Sequence, residues 1–479
     1  MSTDRTYRSS GAVASWPGSK PAAPGSRLVA DRVGIIPRYL VYGAGFVLVA
    51  AVVPQAGTAL LGLVALHALR GTRQTVEALF ILALAIMFNK ALVQIDISLM
   101  RWVVLAGAGA RTIWDTAVGD EPLPSAFWWL TALVITMMVF AYVASWLPTV
   151  SLFKSISFYL GVGTAVVALY RTRHLAAYWQ SCLLSMTVFV ILGSVPLYYL
   201  PYGFARNSVG FQGLLTHPQT YGPISAVLTA YVTGLVLFGR RTSWVFVATM
   251  LAGWAGVFFS QSRTGMLALV LAGLIAVGLG WIRREWQHRM PRLLSGPGIV
   301  VAVITVCTMA VFYGPNLIQA GTAFLIKDEG TQGVVNALEA SRSGLTERSI
   351  ANFREAPLTG IGLGVPSDLS RTTIEYGPFN LPIGASIEKG FTPTAVLEEI
   401  GFVGAALLLT LLGALLRPVF GRWGNIPMVW MVSTALLINM GEAIIFAIGG
   451  NGLFFWLVLA LAFVSICADP TRPNLSPRK

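Results

Sequence analysis

Apolar runs of about 17 to 23 residues recur along nearly the whole chain, each long enough to cross a hydrocarbon core of about 30 Å as a helix. Short polar segments separate them. Helix is the default for such runs because lipid offers open backbone groups no partners. The runs fall at 38–55, 57–70, 75–95, 125–147, 150–170, 178–200, 218–238, 243–260, 265–281, 297–314, 393–415, 425–447 and 449–467.

The polar segments carry an orientation signal, because Lys and Arg gather in short cytoplasmic loops. Arg70 with Arg73, Arg171 with Arg173, Arg240 with Arg241, the cluster Arg283, Arg284, Arg289 and Arg292, Arg417 with Arg422, and the tail Arg472, Arg478 and Lys479 mark that side. The basic N-terminal tail belongs there too, so both termini are expected in the cytoplasm and the number of crossings should be even. The stretch 97–118, with "WVVLAGAGA" between Arg101 and Arg111, supplies either the missing span or an interfacial helix. The expected architecture is an all-α polytopic membrane protein of about 12–14 transmembrane helices, with one large periplasmic loop containing short helices. Residues 1–37, rich in Pro, Gly, Ser and Arg, read as a disordered cytoplasmic tail without a cleaved signal peptide. Residues 38–470 form one transmembrane domain, including periplasmic loops at 201–217 and 315–392, and 471–479 close the chain as a cytoplasmic tail.

Composition agrees: 55% of the residues are hydrophobic and 11% charged, against about 25% charged in soluble domains. The net charge of +13 is spread over short inter-span clusters rather than along one face, which argues against nucleic acid as a partner. Cys182, Cys307 and Cys467 lie in or at the end of apolar runs, and the four histidines are scattered, so no disulfide framework and no metal site is indicated. No cofactor is expected either.

The loop 315–392 holds a helical pattern, "VVNALEASRSGLTERSIANF", expected to lie over the membrane mouth. "REAPLTGIGLG" follows, with a Pro and three close glycines that suit turns. Its "GIGLG" resembles a nucleotide loop superficially, but no βαβ unit surrounds it.

Arginine comes first among residues that carry chemistry, since a guanidinium at a membrane boundary is costly unless it binds something, and its fork matches phosphate oxygens. Arg263 in "FSQSRTGMLAL" sits where one span ends outside and the next begins; snorkelling at the boundary is its competing role. Arg206 stands in "GFARNSVGFQGLLTHPQTYG", a loop that also holds His217, for which helix capping competes with a role as base or ligand. In "SIEKGFTPTAVLEEIG", Glu388 is placed to accept a hydroxyl proton, while Glu398 and Glu399 enter the span and need partners there. Glu399, one residue before the "IG" turn, is expected to hold nearby loop backbone. Arg348 in the loop helix and Lys389 complete the candidate substrate-binding set with Arg206, Arg263 and His217. Glu77 and Lys90 are too far apart for one local pair and are read as separately held.

Four features stand in one order: "GFQGLLTHPQTYG" before a span, "SQSRTGMLAL" opening another, "PLTGIGLG" in the large loop and "LEEIGFVG" entering the next span. That order, over residues 178–415, resembles the O-antigen ligase and polymerase superfamily. The resemblance implies a metal-independent glycosyltransferase of the bacterial inner membrane that works on the periplasmic side. It would take a glycan from an undecaprenyl-pyrophosphate carrier and pass it to a glycan acceptor, with membrane lipids, a chain-length regulator and a flippase as further partners. Arg263 matches the arginine of the family's "SRTG"-like motif, and Arg206 resembles the arginine before its His-Pro or Asn-Pro loop; both would hold the pyrophosphate. Ligases carry a histidine where this chain has Gly390. This departure points to a Wzy-like exopolysaccharide or O-antigen polymerase with Glu388 as the catalytic base beside Arg206 and Arg263. A ligase onto lipid A core is the alternative, and a lipid-linked sugar flippase or other transporter is the competitor from another class, although no internal repeat is visible.

Overall fold

Apolar runs separated by two to five polar residues fold as antiparallel neighbouring helices, because a short connection reaches only the adjacent helix end. A computed structural model of the chain describes residues 45, 49, 52–93, 97, 99–206, 210–238, 243–282, 343–371, 374–376, 382–385, 389–421 and 425–468. The run expected at 297–314, most of 38–55, both tails and Glu388 lie outside them.

The described helices are α1 (Pro54–Ala68), α2 (Thr72–Ile86), α3 (Met100–Val118), α4 (Ser125–Val143), α5 (Pro148–Arg171), α6 (Ala176–Ser194), α7 (Pro218–Phe238), α8 (Trp244–Phe259), α9 (Arg263–Ile282), α10 (Ser343–Glu355), α11 (Thr392–Phe420), α12 (Ile426–Gly441) and α13 (Gly452–Cys467). Among the described residues, six helical segments are long and apolar enough to cross a membrane: Ser125–Val143, Pro148–Arg171, Arg173–Tyr199, Pro218–Phe238, Arg263–Ile282 and Thr392–Phe420. The chain is therefore an all-α polytopic membrane protein. A small antiparallel hairpin, β1 (Ile374–Tyr376) with β2 (Pro382–Ala385), adds to the short helix of the large loop.

The bundle has two distinct ends. At one, Arg111 donates to the Leu69 carbonyl, Thr72 bonds Asp115, and Arg173 pairs with Glu121. Arg70, Arg73, Arg171 and Arg173 all lie at this basic end. At the other, Asn89 donates to the carbonyls of Tyr202 and Gly213, Trp146 N–H to Ile361 O, and Arg101 to Gly449 O. This second end carries every described part of the 201–217 and 315–392 loops and is called the loop end below. Helix α3 touches both ends, through Arg101 and Asp115, so residues 100–118 run the full height of the bundle rather than lying along its surface. Its low hydropathy is offset by the Arg111–Asp115 pair at 2.8 Å, one turn apart on the same helix.

Helix α5 is interrupted by a π turn at Tyr159–Gly163, where Gly161 faces Ile448 of the α12–α13 connection without room for a side chain. Helix α11 is interrupted at Gly401, whose φ of 63° and ψ of −173° lie outside the helical region. Both breaks are in buried backbone, the setting in which irregular geometry survives at membrane depth.

Candidate functional site

Two groups of polar side chains gather at the loop end. The first is built on the 260–262 turn between α8 and α9. Ser262 is the N-cap of α9, its Oγ accepting from the Gly265 N–H at 3.2 Å, and Ser260 Oγ accepts from the Ser262 N–H at 3.3 Å. Arg263 is thus the first residue of a 20-residue helix, adding its guanidinium to the positive end of the helix dipole. Gly222 of α7 lies against Ser262, where any Cβ would overlap the serine, so α7 and the turn meet at backbone distance.

The loop bearing Arg206 docks on the same turn. Phe211 N–H donates to Phe259 O at 2.9 Å, and Gln212, 1% exposed, takes the Arg206 N–H at 3.0 Å while giving its own N–H to Gly203 O at 2.8 Å. Arg206 projects from this anchored turn as an exposed residue; Arg263 is half-buried. His217 closes the loop, its Nδ1 accepting from the Gln219 N–H at 3.0 Å. A nitrogen that accepts an amide bond is unprotonated, so the neutral ring carries its proton on Nε2 and offers a donor rather than a base.

Burial, and after it the Arg206 guanidinium, hold the His217 pKa below its usual value. The unfolded chain therefore binds the proton more readily. The neutral ring's contribution to stability is present above the unfolded pKa of about 6.5 and is lost as pH falls toward the folded value. Arg206→Gln is expected to raise the His217 titration without restoring it fully, because burial is the larger cause. Histidine-labelled protein followed by NMR reads this directly, and an unchanged His217 midpoint would mean that Arg206 does not face the ring.

The second group is built where the large loop meets α11. Residues 357–364 thread into the break at Gly401: Ile361 and Gly362 N–H donate to the carbonyls of Glu398 and Glu399 at 2.8 and 3.0 Å, and Phe402 N–H donates to Pro357 O at 2.8 Å. Gly360, Gly362 and Gly364 all take positive φ, which explains three glycines in eight residues. Glu398, 0% exposed, accepts from Ser349 Oγ, Asn352 Nδ2 and Lys389 Nζ, each at 2.7 Å. It thereby fastens α10 and the segment before α11 to one carboxylate. Lys389 also lies 3.7 Å from Glu399.

Of the candidate residues, Arg206, His217 and Arg263 are thus carried by segments bonded to one another. Lys389 is committed to Glu398, and Arg348 to an exposed pair with Asp368 at 2.9 Å. Glu388 lies outside the described residues. Two cations stand out only in the structure. Lys154 of α5 lies with its stem against Gly364 and faces Glu399, and Arg101 of α3 is its cationic neighbour. The available signal was a single ionisable residue within the apolar run 150–170.

Asn451 donates to Thr220 Oγ1, and Gly449 accepts from Arg101, so the α12–α13 connection touches both groups. No curated protein matches the chain. Residues 248–409 match the O-antigen ligase family model, a stretch that includes the Arg263 turn, the glycine-rich loop and the broken helix but not Arg206 or His217. The match over this segment supports the O-antigen ligase/polymerase superfamily, whose members are glycosyltransferase-like enzymes that act on lipid-linked glycans.

Proposed function

We propose that this chain polymerises undecaprenyl-pyrophosphate-linked oligosaccharide repeat units into exopolysaccharide or O-antigen, on the periplasmic side of the bacterial inner membrane with both termini in the cytoplasm. The observation that carries the reading is the joining of the Arg206 loop to the Arg263 turn at the loop end of a bundle in this superfamily. Two guanidiniums and a helix N-terminus suit the oxygens of a pyrophosphate. Gly390 at the place of the ligase histidine favours polymerase over ligase.

In the proposed reaction a hydroxyl of the acceptor glycan attacks the anomeric carbon of the donor. The bond from that carbon to the pyrophosphate oxygen breaks, and its electron pair leaves with undecaprenyl pyrophosphate. Arg206 and Arg263 neutralise the charge that grows there, with the His217 Nε2–H as a further donor. The hydroxyl proton passes to Glu388 as general base. Fixed guanidiniums supply the charge neutralisation that a divalent metal gives elsewhere, so the proposed reaction runs without one. A flippase would deliver the substrates and a chain-length regulator would set the product size.

The test is deletion of the gene from its host and complementation with wild type, Arg206→Ala, Arg263→Ala and Glu388→Gln at matched membrane levels, followed by sizing of lipid-linked and surface glycan. Deletion should leave single lipid-linked repeat units, and only the wild type should restore long polymer. Long polymer that persists on its lipid carrier in the deletion strain would instead assign the chain to ligation or export.

A further inference from the structure

At the basic end Arg73, Arg111 and Arg173 each pair with a carboxylate, on Glu77, Asp115 and Glu121. Arg171, half-buried in the last turn of α5, does not. Its Nε and Nη2 are buried and, among the described residues, meet no hydrogen-bond partner. The acids at and after the end of α3 do not serve it. Asp115 is held by Arg111 and the Thr72 hydroxyl, Glu121 takes Arg173, and Asp120 is exposed and forms no ion pair among the described residues.

The Arg171 guanidinium rests on Gly119, the exposed residue that follows α3. A Cβ there would stand 2.6 Å from Nη1 and 2.9 Å from the Asp115 carbonyl oxygen. With φ −96° and ψ 138° Gly119 has a backbone open to other residues, so its missing side chain leaves room for the guanidinium rather than relieving the chain. The carbonyl ends of α3 and α5 favour a cation here, but they leave the buried N–H groups unbonded. A buried charged donor without a partner is costly, and an anion from outside the chain removes that cost. Along α3 the exposed residues Ile113, Trp114 and Val118 lead up to Gly119, with Trp114 and Val118 one turn apart on the same face.

We propose that Arg171, Gly119 and this apolar stripe form a site for one anionic phospholipid. A phosphate seated over Gly119 meets Nη1 first, and a small outward turn of the side chain adds Nη2 and completes the fork. The acyl chains lie along Val118 and Trp114, with the indole near headgroup level. Charge selects the occupant: an anionic headgroup supplies the missing counter-charge, whereas a zwitterionic one brings its own cation. The stripe distinguishes the lipid from a free phosphate. The site is at the opposite end of the bundle from Arg206 and Arg263 and does not depend on the polymerase reading.

The experiment titrates dioleoyl phosphatidylglycerol into the purified full chain in a zwitterionic detergent and counts bound lipid by native mass spectrometry. Wild type is expected to retain one tightly held phosphatidylglycerol. Arg171→Met should weaken retention about tenfold, the effect of one charge-assisted bond, and Arg171→Lys should weaken it less. Trp114→Ala, a change at an exposed position, should weaken it too, and it reads the site if Arg171→Met fails to fold. Arg173→Gln should leave retention intact, because Arg173 is engaged by Glu121. Undiminished retention in both Arg171→Met and Trp114→Ala overturns the site, as does a wild type that holds dioleoyl phosphatidylcholine equally well. Full displacement by glycerol 3-phosphate would reduce it to an anion site and overturn the lipid assignment. Retention that appears only in Asp120→Asn would show that Asp120, not lipid, partners Arg171.

Discussion

Gly401→Ala is expected to unfasten the large loop from the membrane bundle and, on the polymerase reading proposed above, to remove polymer formation with it. Gly401 combines φ 63° with ψ −173°, a region essentially reserved for glycine, so a Cβ there costs of order 1–3 kcal/mol in backbone strain alone. The same Cβ would overlap the Leu358 carbonyl, whose oxygen accepts from Val403 N–H at 3.4 Å beside the Phe402 to Pro357 bond. Neither partner can yield, because both are backbone. The combined loss should be about 3–5 kcal/mol, in the range of severe overpacking and strain together. Thermal unfolding in detergent measures it. Gly413→Ala is the control: it lies in the same helix with open space around it, and there alanine should be neutral or mildly stabilising. Equal melting of the two variants would show that the break at Gly401 does not hold the loop.

Much of this fold could be read from residue order because hydrocarbon imposes its own length rule. The run expected at 218–238 is the helix Pro218–Phe238, and that at 265–281 is Arg263–Ile282, extended by the serine cap that "SQSRTG" announces. The "IG" turn after Glu399 is the break in α11, and the glycines of "GIGLG" are the turns that fill it. Residues 100–118 resisted the same reading, since Arg101, Arg111 and Asp115 lower the hydropathy of a helix that nevertheless spans both ends.

Side-chain partnerships were far less legible. Lys389 and Glu398 are near in sequence, but nothing in their spacing across a loop boundary announces an ion pair. Lys154 and Glu399 are separated by most of the chain, and only the docking of residues 357–364 on α5 brings them together, through the Leu363 N–H to Ser151 Oγ bond at 2.9 Å. Arg206 and Arg263 were singled out by their chemistry and by the family resemblance, not by any sign of contact. Their common placement depends on backbone bonds from Phe211 to Phe259, which carry no residue-type signature.

Glu398→Ala is expected to release α10 with a loss of about 3–5 kcal/mol, the cost of leaving a buried charge without its partner. The Lys389 side chain, 3% exposed, would keep only Glu399 at 3.7 Å, and Ser349 and Asn352 would lose their acceptor. Glu398→Gln should recover part of the loss, because an amide oxygen still accepts from two of the three donors. The double variant Glu398→Leu with Lys389→Met should lose less than the sum of its single changes, since removing both charges leaves neither one stranded. Hydrogen exchange over residues 343–355 separates this local release from global unfolding: protection there should fall while α7 keeps its own. Strict additivity of the double variant would mean that Lys389 and Glu398 act independently, and the carboxylate would then fasten α10 through Ser349 and Asn352 alone. On the polymerase reading proposed above, polymer length in the complemented strain gives the functional counterpart. If α10 covers the bound glycan, loosening it without touching Arg206 or Arg263 should shorten chains, because product would leave earlier, while single transfer events continue.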